Sequence, residues 1–218
     1  MYFESRVHAG VVLASQLYDQ YRYENTAVVS LSEGGVLVGE QIASYLHSVL
    51  TMLLIEDIPV PGEDQLFGGV SQGGDFTYNS TFSAGEVDEY TSEFHGYLAE
   101  KKREAFQKIN RLLGEGGYVD HAMLRDRNII LVSDGFEDVS DVDVAMEFLK
   151  PVRYHKLIIA APIATVSAVD RLHVIADELH ILDVKQNYIS TDHYYDQNSL
   201  PSHEEILQKI NSIVLHWR

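Results

Sequence analysis

The chain has 218 residues, 45% of them hydrophobic, no cysteine, and 33 Asp plus Glu against 16 Lys plus Arg, for a formal net charge of −17. That length and composition suit one globular domain spanning 1–218 with a sizeable core. The lack of cysteine excludes disulfides, thiolate metal centres and cysteine nucleophiles. A polyanion repels other polyanions, so no nucleic-acid partner is expected. The single basic cluster, Lys101-Lys102-Arg103, sits beside Glu100 and Glu104 and reads as a solvated helix face. No stretch reaches the roughly 18–20 apolar residues of a membrane span. The opening Met1-Tyr2-Phe3-Glu4-Ser5-Arg6 has no apolar run of signal-peptide type, which gives a cytoplasmic expectation.

In chain order, residues 5–21 predict a helix, because Gly10, Leu13, Ala14, Leu17 and Tyr21 share one face at helical spacing. Residues 26–31 are a short apolar run of buried-strand type, ended by Ser32-Glu33-Gly34-Gly35, and 35–47 predicts a helix. A second strand is expected at 51–56, before the turn signal Pro59-Val60-Pro61-Gly62. Residues 63–80 are rich in glycine and polar groups. Two short segments there flank Gln72-Gly73-Gly74 and predict a hairpin-like flap with few apolar contacts, more mobile than the core. A long polar helix is expected over 87–113, broken by Gly114-Glu115-Gly116-Gly117. Asn128-Ile129-Ile130-Leu131-Val132 is the clearest strand, followed by a helix over 141–150 with Ser140 as N-cap. Further strands at 156–161 and 178–183 alternate with helices at 165–177 and 202–216. Such alternation predicts an α/β fold, a parallel β-sheet flanked by helices.

Ligands in such sheets bind at the carboxyl ends of the strands. The loops to inspect are therefore 32–35, 57–62, 133–140, 162–165 and 183–195. Asp134-Gly135 is either part of a ligand site or an ordinary turn. The acids Asp134, Glu137, Asp138, Asp141 and Asp143 could hold a hard cation, but Asp141 and Asp143 are better explained as first-turn charges favoured by the helix dipole. No metal site is expected. His193 reads as a surface residue. Tyr188, Tyr194 and Tyr195 either stack a base or pack the last loop onto the domain.

The segment Asn128 to Asp141 resembles the signature of type I phosphoribosyltransferases, in which a buried strand runs into two acids and a glycine, then a small Thr/Gly-rich loop opening a helix. His8-Ala9-Gly10 with Leu13-Ala14 resembles the family's first helix. Leu31-Ser32-Glu33-Gly34-Gly35-Val36 sits where many members have Pro-Arg-Gly-Gly. Pro61-Gly62 with Phe67-Gly68-Gly69-Val70 is similar to the flap of one bacterial branch. Ala160-Ala161-Pro162-Ile163-Ala164 resembles the next strand end, and Tyr194-Tyr195 falls where that branch has an aromatic pair.

The resemblance implies displacement at C1 of phosphoribosyl pyrophosphate by a nitrogen nucleophile, with Mg²⁺ helping pyrophosphate to leave. It implies a phosphosugar loop over Ser133, Asp134, Gly135, Phe136, Glu137, Asp138, Val139 and Ser140, with Asp134 as the remnant of the catalytic acids. It also implies a pyrophosphate loop at Ser32, Glu33, Gly34 and Gly35, a base side at Tyr188, Tyr194 and Tyr195, a flap at 63–80 and a hood over 183–200.

The chain departs from that pattern at each loop. Ser133 replaces one of the two acids, Asp138-Val139 stands where the 5-phosphate is cradled by Thr-Gly, and Glu33 stands in place of an arginine. A reversed charge at ~4 Å changes an interaction by roughly several kcal/mol even at an effective ε of about 20. The expectation is a phosphoribosyltransferase-like protein that is weak or inactive in transfer and acts as a binding or regulatory domain, with no certain cofactor. The alternatives are an active, atypical Mg²⁺-dependent transferase of nucleotide salvage and an acidic protein-interaction module. Expected partners are a small phosphorylated ligand or a protein, and a homodimer is compatible with the sequence.

Overall fold

The computed structural model describes residues 2–63, 65–113 and 119–217. The expected break at 114–117 lies outside the described residues. The chain opens with β1 (Phe3–Ser5), α1 (Arg6–Tyr21), β2 (Thr26–Ser30), α2 (Glu33–Leu46) and β3 (Val49–Met52). It continues with β4 (Ile55–Pro59), β5 (Leu66–Ser71), β6 (Phe76–Tyr78), α3 (Ala84–Glu93) and α4 (His95–Leu113). Then come α5 (His121–Leu124), β7 (Asn128–Val132), α6 (Ser140–Leu149), β8 (Lys156–Thr165), α7 (Val166–Ile175) and β9 (Glu178–Lys185). A 3-10 turn (Thr191–Tyr194), β10 (Tyr195–Gln197), α8 (His203–Asn211) and a second 3-10 turn (Ile213–His216) complete it.

Two compact units emerge. The first comprises 1–52, 117–138 and 152–218, and the second 53–116 and 139–151. The core of the first is a five-stranded sheet of order β3-β2-β7-β8-β9, parallel throughout and flanked by helices. β2 and β7 are buried at every residue, as a strand covered on both faces must be, and this is why their sequences read as unbroken apolar runs. The expected sheet and its alternation with helices hold. A separate two-stranded parallel pair joins β1 to β10, with Phe3 opposite Tyr195.

The second unit holds an antiparallel sheet of order β4-β5-β6, with α3, α4 and α6. The hairpin expected around 67–78 is present as β5 and β6. The expectation of few apolar contacts there is corrected. Phe67 is 1% exposed, with its ring 5.3 to 6.3 Å from those of Phe76, Tyr78, Phe82 and Tyr90. The glycines of this segment serve strand packing: a Cβ on Gly68 would lie 2.1 Å from the Thr77 carbonyl oxygen.

Other boundaries also moved. The strand expected at 51–56 is two strands, Val49–Met52 in the parallel sheet and Ile55–Pro59 in the antiparallel one; one apolar run serves both, so composition cannot divide it. The long polar helix is interrupted at Phe94. Residues 162–165 and 183–185, expected as loops, extend β8 and β9. Ser140 is the first residue of α6 instead of its cap. Val139 holds the cap position without a side-chain hydrogen bond, at φ −111, outside the left-handed region.

Candidate functional site

The site is set by strand register. β2 and β7 lie side by side with Ser30 opposite Val132, so the residues just past their carboxyl ends, Ser32 and Asp134, become neighbours. Ser32 caps α2: its Oγ accepts from the Gly35 backbone N–H at 2.9 Å and donates to Asp134 Oδ1 at 2.8 Å. Asp134 Oδ2 accepts from Arg6 Nε at 2.7 Å. Each carboxylate oxygen thus accepts from one of the protein's own donors, on a residue only 8% exposed.

Arg6 is the residue that sequence reasoning missed. It opens α1 and is 3% exposed. Besides Asp134 it pairs with Asp192, reaches Asn198 Oδ1 at 3.5 Å, and lies 4.7 Å from the Tyr195 ring centroid. Burial alone would lower its pKa, but the charges and hydrogen bonds of Asp134 and Asp192 outweigh this and raise it, so the guanidinium stays charged. A signal was present: Arg6 lies four residues before Gly10 and seven before Leu13, on the buried face of the helix. A cation there needs a buried anion. Nothing local marks Asp192 or Asn198 as its partners.

Close packing explains two glycines. A Cβ on Gly34 would fall 2.1 Å from Asp134 Oδ2, and one on Gly135 would fall 2.7 Å from Tyr188 Oη and 2.9 Å from Thr191 Cγ2. Residues 188–191 therefore roof the start of the 133–138 loop, with Tyr188 Oη and Thr191 Oγ1 2.6 Å apart.

The loop below is stitched to its own strands. The Ser133 N–H goes to the Ala160 carbonyl and that of Phe136 to Ile163. The Gly135 N–H goes to Ser133 Oγ, and Thr165 Oγ1 donates to the Glu137 carbonyl. Burial first, then the charges of Asp134 and Glu137, push the Tyr188 phenol up to about 12 against a lowering contact with Thr191.

The tyrosines are engaged in packing. Tyr194 and Tyr195, each 3% exposed, join Phe3, Ala9 and Ile163 in one core cluster, with Tyr188 against it. Tyr195 donates to the Asp134 backbone carbonyl at 2.5 Å, and burial is the main cause raising its pKa. Tyr194 Oη donates to the Asn187 carbonyl at 3.1 Å.

Ser32 to Gly35, expected as a loop, are the cap and first turn of α2. Glu33 there meets His203 Nδ1 at 2.6 Å. In the second unit, Asp143 accepts from the Ser80 N–H at 2.8 Å, a role beyond helix-dipole charge. His193 is exposed. Among the described residues, no group of three or more His, Asp or Glu is placed to hold a metal ion, and no helix is long and apolar enough to cross a membrane.

No family model matches the chain. Two curated sequences from Mycobacterium tuberculosis strains, provisionally named phosphoribosyl transferases, are each 25% identical over 212 residues, covering 94% of this chain and 45% of the relative. The chain is similar to phosphoribosyltransferases. It spans less than half the length of those curated relatives. The crystal structure of TT1426 from Thermus thermophilus matches at TM-score 0.68 and 23% identity, over 100% of this chain and 99% of that one, a likeness of fold. A purine phosphoribosyltransferase from Pyrococcus horikoshii matches at TM-score 0.47 and 12% identity, over 92% and 96% of the two chains.

A phosphoribosyltransferase-like sheet thus carries Ser32, Asp134 and Arg6 together at the ends of adjacent strands. The donor set suits Mg²⁺ poorly. Asp134, just past the end of β7, already faces a buried guanidinium, and a divalent cation beside it would meet like charge.

Proposed function

We propose that this is a phosphoribosyltransferase-like protein, weak or inactive in transfer, that serves as a binding or regulatory domain for a small phosphorylated ligand or a protein partner. The observation that carries this reading is Asp134. A carboxylate that holds ribose hydroxyls needs oxygen lone pairs facing the ligand. Here Arg6 and Ser32 each occupy one acceptor position of the carboxylate, on a residue only 8% exposed, which leaves little of it to face a ligand. The supporting features are the strand-end N–H groups bonded internally at Ser133, Gly135 and Phe136, the acids Glu137 and Asp138 where a phosphate dianion would dock, and Glu33 where pyrophosphate would lie. The net charge of −17 slows approach of the same ligand.

Calorimetry with phosphoribosyl pyrophosphate and Mg²⁺ is expected to show binding weaker than about millimolar, corresponding to about −4 kcal/mol, and transfer to common nucleobases should stay at background. Glu33→Arg, Asp138→Thr and Val139→Gly combined should tighten phosphoribosyl pyrophosphate binding. Micromolar binding with turnover by the unaltered protein would replace this reading with the active Mg²⁺-dependent transferase. A folded triple variant without gain would remove the phosphosugar assignment of 133–140.

A further inference from the structure

A cavity of about 350 Å³ lies beside the strand-end site, with Ser5, Arg6, Leu37, Gln197, Ser199 and Lys209 in its wall. Among the described residues its lining contains two cations and no carboxylate, a local reversal in a chain with about twice as many acids as bases. The volume is at the small end of the range for metabolite pockets, roughly 300–1,000 Å³.

The acids that balance these cations lie outside the lining. Arg6 commits Nε to Asp134 and Nη2 to Asp192, while Nη1 makes one contact, at 3.5 Å, with Asn198 Oδ1. That length is at the limit of a hydrogen bond, so the donors of Nη1 have capacity for a better acceptor. Lys209 Nζ sits 2.9 and 3.2 Å from the two oxygens of Glu40, a single carboxylate for three donors. Ser5 Oγ accepts from the His8 N–H at 3.1 Å, which leaves its own proton to donate. Gln197 and Ser199 are exposed and bring an amide and a hydroxyl to the wall.

We propose that this cavity binds a small hydroxylated phosphate monoester. Arg6 and Lys209 meet the phosphate, and Gln197 and Ser199 meet the hydroxyls. Three terminal phosphate oxygens can take donors from both cations and Ser5 at once, whereas a carboxylate offers two. Binding leaves the Arg6 hold on Asp134 intact, so the site stands apart from any transfer chemistry.

Titration calorimetry of the full chain with glycerol 3-phosphate tests this, with glycerate as the carboxylate control. Saturable binding is expected, at least tenfold tighter than for glycerate. Lys209→Gln should weaken it at least tenfold. Because that change also strips Glu40 of its cation, Ser199→Trp serves as the second variant: it fills the cavity from an exposed position and should abolish binding in a chain with unchanged circular dichroism.

The proposal falls if the unaltered protein shows no saturable binding, if glycerate binds equally well, or if folded Ser199→Trp binds normally. It also falls if affinity follows the Glu33, Asp138 and Val139 triple variant instead of these two, since that would put the phosphate on the strand-end loop and leave the transfer reading to be judged separately.

Discussion

Arg6 and Asp134 show what one buried ion pair settles. Both are nearly out of solvent, and each is the other's principal counter-charge. Removing one leaves an uncompensated charge in the core, which costs about 3–5 kcal/mol. Arg6→Met should lower stability by about that amount, and Arg6→Met with Asp134→Leu should recover most of it; denaturant melts of the two variants measure the difference. Equal losses in the single and double variants would mean that the pair contributes through Asp192 or Tyr195 instead. Asp134, Ser32 and Glu33 were legible in the sequence because strand ends are marked by where apolar runs stop. Their partners Arg6 and His203, and Arg6's second partner Asp192, were not, because each pairing is made by tertiary approach across 128 to 186 residues of the chain.

At the level of elements, the parallel sheet was legible because strands buried on both faces leave unbroken runs of Val, Ile, Leu and Ala. β1 and β10 were not: three residues each are too few for any period to register. The β5–β6 hairpin of the second unit was read as a flap with few apolar contacts because glycine-rich strands resemble loops in composition.

Elements are also tied by charge. Glu178, at the start of β9, accepts from Lys156 Nζ of β8 at 2.7 Å and from Gln20 and Tyr21 at the end of α1. Burial opposes its ionisation, but the hydrogen bonds from Lys156 and Tyr21 prevail and lower its pKa from 4.5 to about 2. A carboxylate depressed on folding stabilises the native state above its unfolded pKa and loses that contribution as pH falls through the folded one. The contribution is therefore complete above about pH 4.5 and fades toward pH 2. Glu178→Gln should flatten the pH dependence of the melting temperature across that window. An unchanged slope would show that solvent screens the pair fully.

Across the whole molecule, net charge acts where single pairs do not. Self-repulsion of −17 strains the compact state, and salt at about 0.5 M shortens the range of that repulsion to a few ångströms. The thermal midpoint should rise on adding salt. A fall would mean that surface ion pairs such as Lys108–Glu56 and Lys156–Glu178 outweigh the repulsion. Charge and composition reported this property from the sequence alone, whereas the division into two units, each assembled from separated stretches of chain, leaves no compositional trace.

The pairing of β1 with β10 has a consequence during synthesis. Phe3 lies opposite Tyr195 and Ser5 opposite Gln197, so β1 has no partner until synthesis has reached β10. At roughly 5–20 residues per second, that wait is on the order of 10–40 s. Through it, the ring of Phe3 and the guanidinium of Arg6 lack the neighbours that bury and neutralise them. β1 is thus made early relative to its partner and secured only once β10 has emerged.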